Sequence, residues 1–151
     1  MNPSTLDPST LNPSPINPNP AKILIVDDQA DLRKLIRLTL QPANFQVSEA
    51  ITGQEALERA AEIVPDLVLL DVMMPGDLNG YGVCRTLKAQ AQFAQTKVIL
   101  LTARGQEADL ELGRVAGADD YLVKPFSPTQ LLNLVHASTR PVQNIYGVVL
   151  R

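Results

Sequence analysis

Residues 66–76 read DLVLLDVMMPG, a stretch in which four apolar residues run without interruption into one aspartate, Asp71. Two more runs of four apolar residues, rich in branched side chains, lie at residues 23–26 and 98–101. Continuous apolarity, in contrast to alternation, indicates strands that are buried on both faces, as in the interior of a parallel sheet. These three runs therefore predict the inner strands of one sheet.

Weaker strand signals and helical patterns complete the alternation. Residues 45–47 alternate in polarity as an edge strand does, and residues 121–123 form a short fifth candidate. Helical patterns lie between the strands, and two of them begin at capping boxes opened by Thr52 and Ser127. Five βα units result, which predicts a right-handed, doubly wound α/β sandwich over residues 21–139.

The amino-acid composition indicates a globular protein and argues against several functional classes. The 151 residues are 45% hydrophobic and 19% charged, which is enough apolar material for a core. Thirteen basic against sixteen acidic residues give a net charge of −3, which argues against a chain that coats nucleic acid or an anionic membrane. Cys84 is the single cysteine, so an intramolecular disulfide is excluded. With neither a membrane-length apolar run nor an export signal, we expect a cytoplasmic protein with no membrane partner.

Both ends of the chain differ from the body. Residues 1–20 repeat every five residues and hold six of the twelve prolines, which predicts a disordered tail. Residues 140–151 form a short C-terminal extension that cannot hold a helix-turn-helix, so no direct DNA binding is expected. The sequence does not decide whether this extension packs on the body.

Polar side chains gather where the predicted strands end. Asp27 and Asp28 follow the first strand, Asp71 the third, Thr102 the fourth and Lys124 the fifth. Because the carboxyl ends of parallel strands share one edge, these side chains converge at the place where doubly wound sheets bind ligands.

The three carboxylates at this edge repel one another. At ~5 Å and an effective dielectric constant of about 20, each pair costs roughly 3 kcal/mol. Lys124 and a divalent cation are the candidates that relieve this repulsion. Hard oxygen ligands suit Mg²⁺, or Mn²⁺, and this choice of metal suggests phosphoryl chemistry.

Four segments carry a resemblance to a known family: IVDD at 25–28, LLDVMMPG at 69–76, LLTAR at 100–104 and YLVKPF at 121–126. In order and spacing they are similar to the receiver domain of two-component response regulators, and the similarity covers residues 21–139. The resemblance implies a flavodoxin-like fold with the strand order 2-1-3-4-5. It also implies a cis peptide bond between Lys124 and Pro125.

The same resemblance implies a single-domain response regulator whose phosphoacceptor is Asp71. The phosphoryl donor would be a sensor histidine kinase, a phosphotransfer protein or a small phosphodonor. Asp28, Asp71 and the backbone carbonyl of Met73 would hold Mg²⁺, with Asp27 acting largely through water. The protein would catalyse only its own phosphorylation and dephosphorylation, and is in that sense not an enzyme.

The remaining roles also follow from the resemblance. Lys124 pairs with the acceptor or the phosphoryl oxygens, and Thr102 donates its hydroxyl to the phosphoryl group once it is present. Small Ala103 leaves room for this movement, and Tyr121 turns inward to fill the vacated space. The face made by the fourth helix, fifth strand and fifth helix then changes and signals to a downstream protein target.

Two further positions, Met73 and Arg104, would tune how long the phosphoryl group survives. We expect apolar Met73 to shield the acyl phosphate from water. The loop MPGDLNG at 74–80 is one residue longer than the family usually has, and Asn79 stands where the family more often has aspartate.

Other functions remain open. A receiver-like interaction module that is never phosphorylated has usually lost an acid or the lysine, and none is lost here. An aspartyl-nucleophile phosphohydrolase generally carries an acid two residues after the nucleophile, where this chain has Met73. Homodimer formation, the cognate kinase and the downstream target are not decided by the sequence.

Overall fold

The computed structural model describes residues 20–103, 107–140, 142–143 and 149–150, and the predicted tail lies almost wholly outside this range. Five strands form the main sheet: β1 Lys22–Val26, β2 Gln46–Ala50, β3 Leu67–Asp71, β4 Lys97–Thr102 and β5 Asp120–Val123. Five helices connect and follow them: α1 Ala30–Leu40, α2 Gly53–Ile63, α3 Gly80–Lys88, α4 Glu107–Ala116 and α5 Pro128–Thr139. Two 3-10 turns, Gln41–Ala43 and Ala91–Phe93, precede β2 and β4.

The five strands are parallel and lie in the order β2-β1-β3-β4-β5. This confirms the expected doubly wound, flavodoxin-like sheet, with β2 and β5 at its edges. In the C-terminal extension, β6 Val142–Gln143 and β7 Val149–Leu150 pair with each other in antiparallel fashion.

Helices cover both faces of the sheet, because each inner strand carries four consecutive apolar residues that are buried. One core joins strand residues to α2, α3 and α4 through Ala56, Cys84 and Ala116. The opposite core joins the alternate strand residues to α1 and α5 through Ile36 and Val135. Burial on both faces is what the continuous apolar runs predicted.

The two capping signals begin helices as predicted, with one difference. Ser127 and Gln130 form the complete reciprocal box at the start of α5. At α2, the Thr52 hydroxyl accepts from the Glu55 amide at 3.0 Å, but the Glu55 carboxylate accepts from the amide of Ile51, one residue before the cap. The helix start is unchanged, since the same number of free amides is satisfied.

The loop between β3 and α3 brings the start of that helix against the end of the strand. The Asn79 side chain caps α3 by accepting from the Gly82 amide at 3.0 Å. At Gly80 a β-carbon would collide with the carbonyl oxygen of Asp71, so only glycine allows this approach. The start of α3 therefore lies directly against the end of β3, even with the extra loop residue.

Lys124 and Pro125 are joined by a cis peptide bond, as the resemblance implied. No helix in the part of the chain that the structure describes is both long and apolar enough to span a bilayer.

Candidate functional site

The structure brings the acidic side chains together at the carboxyl edge of the sheet. Asp71 is the last residue of β3, and Asp27 and Asp28 follow the adjacent strand β1. One carboxylate oxygen from each of the three lies within 4.8 Å of the other two. The sequence prediction of a crowded acidic cluster is confirmed.

Lys124 lies between two of these carboxylates. Its Nζ is 3.1 Å from Asp27 Oδ2 and 3.2 Å from Asp71 Oδ1. Its backbone amide donates to the carbonyl of Thr102 at 2.7 Å, so the end of β4 holds the lysine in place. A single ammonium thus serves two buried acids.

The electrostatic balance of this cluster is unfavourable for Asp71. Asp27 is fully buried and Asp71 is 4% exposed. Burial raises the pKa of the Asp71 carboxyl and the charge of Asp27 raises it further, while Lys124 and the Met73 amide act in the opposite direction. The pKa stays above its ordinary value because burial and the charge of Asp27 together outweigh Lys124 and the Met73 amide.

Asp27 is held at each of its polar groups. Its amide donates to the Ala50 carbonyl at 3.2 Å and its Oδ1 accepts from the Gln29 amide at 2.8 Å. Its Oδ2 faces Lys124, and its carbonyl oxygen accepts from Arg33 Nη1 at 2.8 Å. Asp28, by contrast, is exposed and opens the cluster to solvent.

The donor set fits a hard divalent cation. Three carboxylates without histidine or cysteine offer the oxygen ligands that Mg²⁺ and Mn²⁺ prefer. Exposed Asp28 leaves room for the water molecules that Mg²⁺ retains. A cation would also supply the charge that Lys124 alone does not.

Among the other predicted site residues, the structure describes Met73, Thr102 and Tyr121. Met73 is 65% exposed, and its amide donates to Asp71 Oδ1 at 3.3 Å. Thr102 is the last residue of β4 and is buried. Tyr121, on the edge strand β5, is 41% exposed. Arg104 lies outside the described residues.

An apolar cavity of about 410 Å³ adjoins the acidic cluster. Ala103, Lys124 and Phe126 line it on the side of the strand ends, and Leu32 and Leu35 line it from α1. Ala103 therefore borders this cavity, and its role in the switch stays a prediction.

Sequence reasoning missed two residues near the site. Arg33 contacts the Asp27 carbonyl, and Glu49 of β2 binds Arg33 at 2.8 Å. No sequence signal identifies this pair, because an arginine on a helix and a glutamate on a strand are common surface residues.

The family model for the response regulator receiver domain matches residues 23–136, and the chain belongs to this family. It is a domain of signalling proteins in two-component systems, and membership supports a phosphoacceptor role. The chain is 45% identical over 119 residues to the transcriptional regulatory protein ResD of Bacillus subtilis, an alignment that covers 79% of this chain and 48% of ResD.

Solved structures agree with this assignment. Chemotaxis protein CheY4 of Vibrio cholerae has a TM-score of 0.75 and 33% identity, with 80% of this chain and 99% of that chain covered. The receiver domain of sensor histidine kinase PA1611 from Pseudomonas aeruginosa has a TM-score of 0.73 and 29% identity, with 80% and 98% covered. The PA1611 structure holds a magnesium ion in its active site cleft.

One expectation is corrected by these relatives. MtrA of Mycobacterium tuberculosis, 41% identical over 79% of this chain, is by name a DNA-binding response regulator, so the exclusion of a DNA partner is wrong. This chain spans about half the length of ResD and MtrA. The exclusion rested on the net charge and on the short segment after Arg140, and the charge of one domain does not report what another domain binds.

Proposed function

We propose that Asp71 accepts a phosphoryl group from a phosphohistidine of a sensor histidine kinase or a phosphotransfer protein. The observation that carries this proposal is the geometry of one buried carboxylate, Asp71, within 4.8 Å of two further acids and 3.2 Å from Lys124. The family to which the chain belongs supports the same role.

The reaction is a transfer between two nucleophiles. A carboxylate oxygen of Asp71 attacks phosphorus, the bond from phosphorus to the histidine nitrogen breaks, and that nitrogen retains the electron pair. Among the described residues, the hydrogen bonds to the Asp71 carboxylate fall on Oδ1, which leaves Oδ2 as the attacking oxygen. The product is an acyl phosphate on Asp71.

Lys124 and the acidic cluster serve this step by electrostatics. Lys124 Nζ, held 3.1 Å from Asp27, is positioned to balance charge on the phosphoryl oxygens. Asp28, Asp71 and the Met73 carbonyl would hold Mg²⁺ or Mn²⁺, with Asp27 acting through water. A bound cation supplies positive charge between the attacking carboxylate and the incoming phosphoryl group.

The response to phosphorylation belongs to the same proposal. The Thr102 hydroxyl donates to the phosphoryl group and draws the end of β4 inward, beside small Ala103. Tyr121, which is 41% exposed, then turns inward and changes the face of α4, β5 and α5. A downstream protein target reads this face, while Met73 and Arg104 set the phosphoryl lifetime.

The segmentation of the chain is also part of the proposal. The receiver unit spans residues 21–139, between a tail at 1–20 and an extension at 140–151. This division agrees with the location of the main sheet and its helices.

Mass spectrometry tests the proposed function. The chain is incubated with MgCl₂ and acetyl phosphate, and the gain of one phosphoryl group is measured. Uptake is expected in the wild type, and Asp71→Asn abolishes it. Asp77→Asn, an exposed aspartate six residues further along, serves as the matched control and retains uptake.

Two outcomes would contradict the proposal. Continuous release of inorganic phosphate without an accumulated phosphoprotein would indicate a phosphohydrolase. An absence of uptake by a folded wild-type chain, as judged by circular dichroism, would indicate an interaction module.

A further inference from the structure

Arg33 of α1 links the backbone carbonyl of Asp27 to the side chain of Glu49, two groups to which the proposed function gives no role. Its Nη1 donates to the Asp27 carbonyl at 2.8 Å, and its Nε donates to Glu49 Oε1 at 2.8 Å. The Arg33 side chain is 16% exposed, so much of its charge is removed from water. A guanidinium in such a place needs both acceptors.

The Asp27 carbonyl belongs to the peptide group that links Asp27 to Asp28. Because this group is planar, a hydrogen bond to its oxygen also fixes the direction in which the chain enters Asp28. The Asp28 side chain is exposed, so burial contributes little to its position. Its distance from Asp71 is thus set mainly by the backbone that Arg33 holds.

Glu49 orients Arg33 from the neighbouring strand. Its second oxygen accepts from Arg37 Nε at 2.7 Å, so one carboxylate holds two guanidinium groups one helical turn apart. Partial burial acts to raise the pKa of Glu49, but the hydrogen bonds and charges of Arg37 and Arg33 outweigh it and the pKa is lowered. Glu49 is therefore a firm anchor for both arginines.

We infer that Arg33 is a positioning residue that, anchored by Glu49, fixes the peptide between Asp27 and Asp28 and so sets the affinity of the acidic cluster for a divalent cation. This inference rests on the proposed function, since it concerns the same cluster. Arg33 touches neither substrate nor metal ligand oxygen, and its effect passes through the Asp27 carbonyl.

The chain offers a matched control for this inference. Arg37 binds the same glutamate but does not contact Asp27, so Arg37→Met removes a bond to Glu49 and leaves the peptide held. Arg33→Lys keeps the charge but replaces a planar fork by one ammonium, which cannot span both acceptors in the same geometry. Both Arg33→Lys and Arg37→Met weaken the link between α1 and β2, so they share any effect of that link. An effect that passes through the Asp27 carbonyl appears only in Arg33→Lys.

The experiment measures Mg²⁺ affinity by titrating each full-length variant and following amide resonances in nuclear magnetic resonance spectra. We expect Arg33→Lys to weaken the affinity about tenfold, as is usual when a partner of a metal ligand is changed. We expect Arg37→Met to stay within about twofold of the wild type. The ¹³C resonance of the Asp27 carbonyl should move in Arg33→Lys and not in Arg37→Met.

The rate of phosphoryl uptake shows whether Arg33 acts on cation binding alone or also on the transfer step. At saturating Mg²⁺ the uptake rate of Arg33→Lys should return to within about twofold of the wild type, because only cation binding is impaired. Equal Mg²⁺ affinities of Arg33→Lys and Arg37→Met, or an unmoved Asp27 resonance, would overturn the inference while leaving the proposed function intact. A wild-type chain that binds no Mg²⁺ would overturn both.

Discussion

At the amino-terminal edge of the central sheet Asp119 has an ammonium group of its own, whereas at the carboxyl-terminal edge two buried carboxylates share one. Asp66, just before β3, accepts from the Lys22 amide at 2.7 Å. Asp119, just before β5, accepts from Lys88 Nζ at 2.6 Å and from the Val98 amide at 2.7 Å. At the other edge, Asp27 and Asp71 each accept from one backbone amide, and they share Lys124 as their one ammonium.

This difference shows what each edge contributes. A donor that binds a carboxylate stabilises the fold, because it replaces the hydrogen bonds with water that the carboxylate loses on burial. Unbalanced carboxylates oppose folding, and the raised pKa of Asp71 reports that opposition. Under the proposed function, a bound cation would offset this cost, as is usual where a functional site departs from what favours stability.

The largest expected effect comes from removing the two lysines in turn. Lys124→Met leaves two buried carboxylates without a cation and should lower the free energy of unfolding by about 3 kcal/mol in Mg²⁺-free buffer. Lys88→Met removes a partly exposed partner of Asp119, which keeps its bond from the Val98 amide, and should cost about 1 kcal/mol. Urea denaturation followed by circular dichroism measures both, since the chain contains no tryptophan.

Added Mg²⁺ provides the control for this pair. It should restore part of the stability of Lys124→Met and leave the difference between Lys88→Met and wild type unchanged. Equal losses from the two lysine variants would remove the contrast between the edges.

A smaller change in the free energy of unfolding is expected when Asp119 and Asp71 are neutralised, and the two variants should change it in opposite directions. Asp119→Asn loses a charge-assisted contact with Lys88 and should lower the free energy of unfolding by about 1 kcal/mol. Asp71→Asn removes the repulsion from Asp27 and should raise it by about 1 kcal/mol without Mg²⁺. The same denaturation measurement applies, and a stability loss in both variants would show that the site carries no excess negative charge.

The sequence predicted the parts of this contrast that depend on local pattern. Asp71 and Lys124 could be placed at one edge because each follows an apolar strand, and parallel strands end together. The link between Arg33 and Glu49 could not be predicted, since it depends on how α1 crosses β2. Val64 is a second example: it ends α2 with a left-handed φ of 44°, which its β-branched side chain disfavours.

The smallest expected effect tests the cause of the contrast between the two edges. The cause is either the position at the carboxyl-terminal edge or the ratio of cations to carboxylates. Glu49 lies near the carboxyl end of β2 but has two arginines to itself, and its pKa is lowered rather than raised. If the ratio decides, Glu49→Gln should lower the free energy of unfolding by about 1 kcal/mol at neutral pH, as at the amino edge. Glu58→Gln, at an exposed glutamate of α2, should stay within about 0.5 kcal/mol.

The pH dependence of the stability difference between Glu49→Gln and the wild type separates the two explanations. Because the folded pKa of Glu49 is below its ordinary value, the unfolded chain takes up the proton first as the pH falls. The stabilisation is therefore complete above the ordinary value of 4.5 and is lost as the pH falls through the folded pKa, where variant and wild type converge. A difference that persists through this range would assign the effect to packing of the glutamate side chain and not to the ratio of cations to carboxylates.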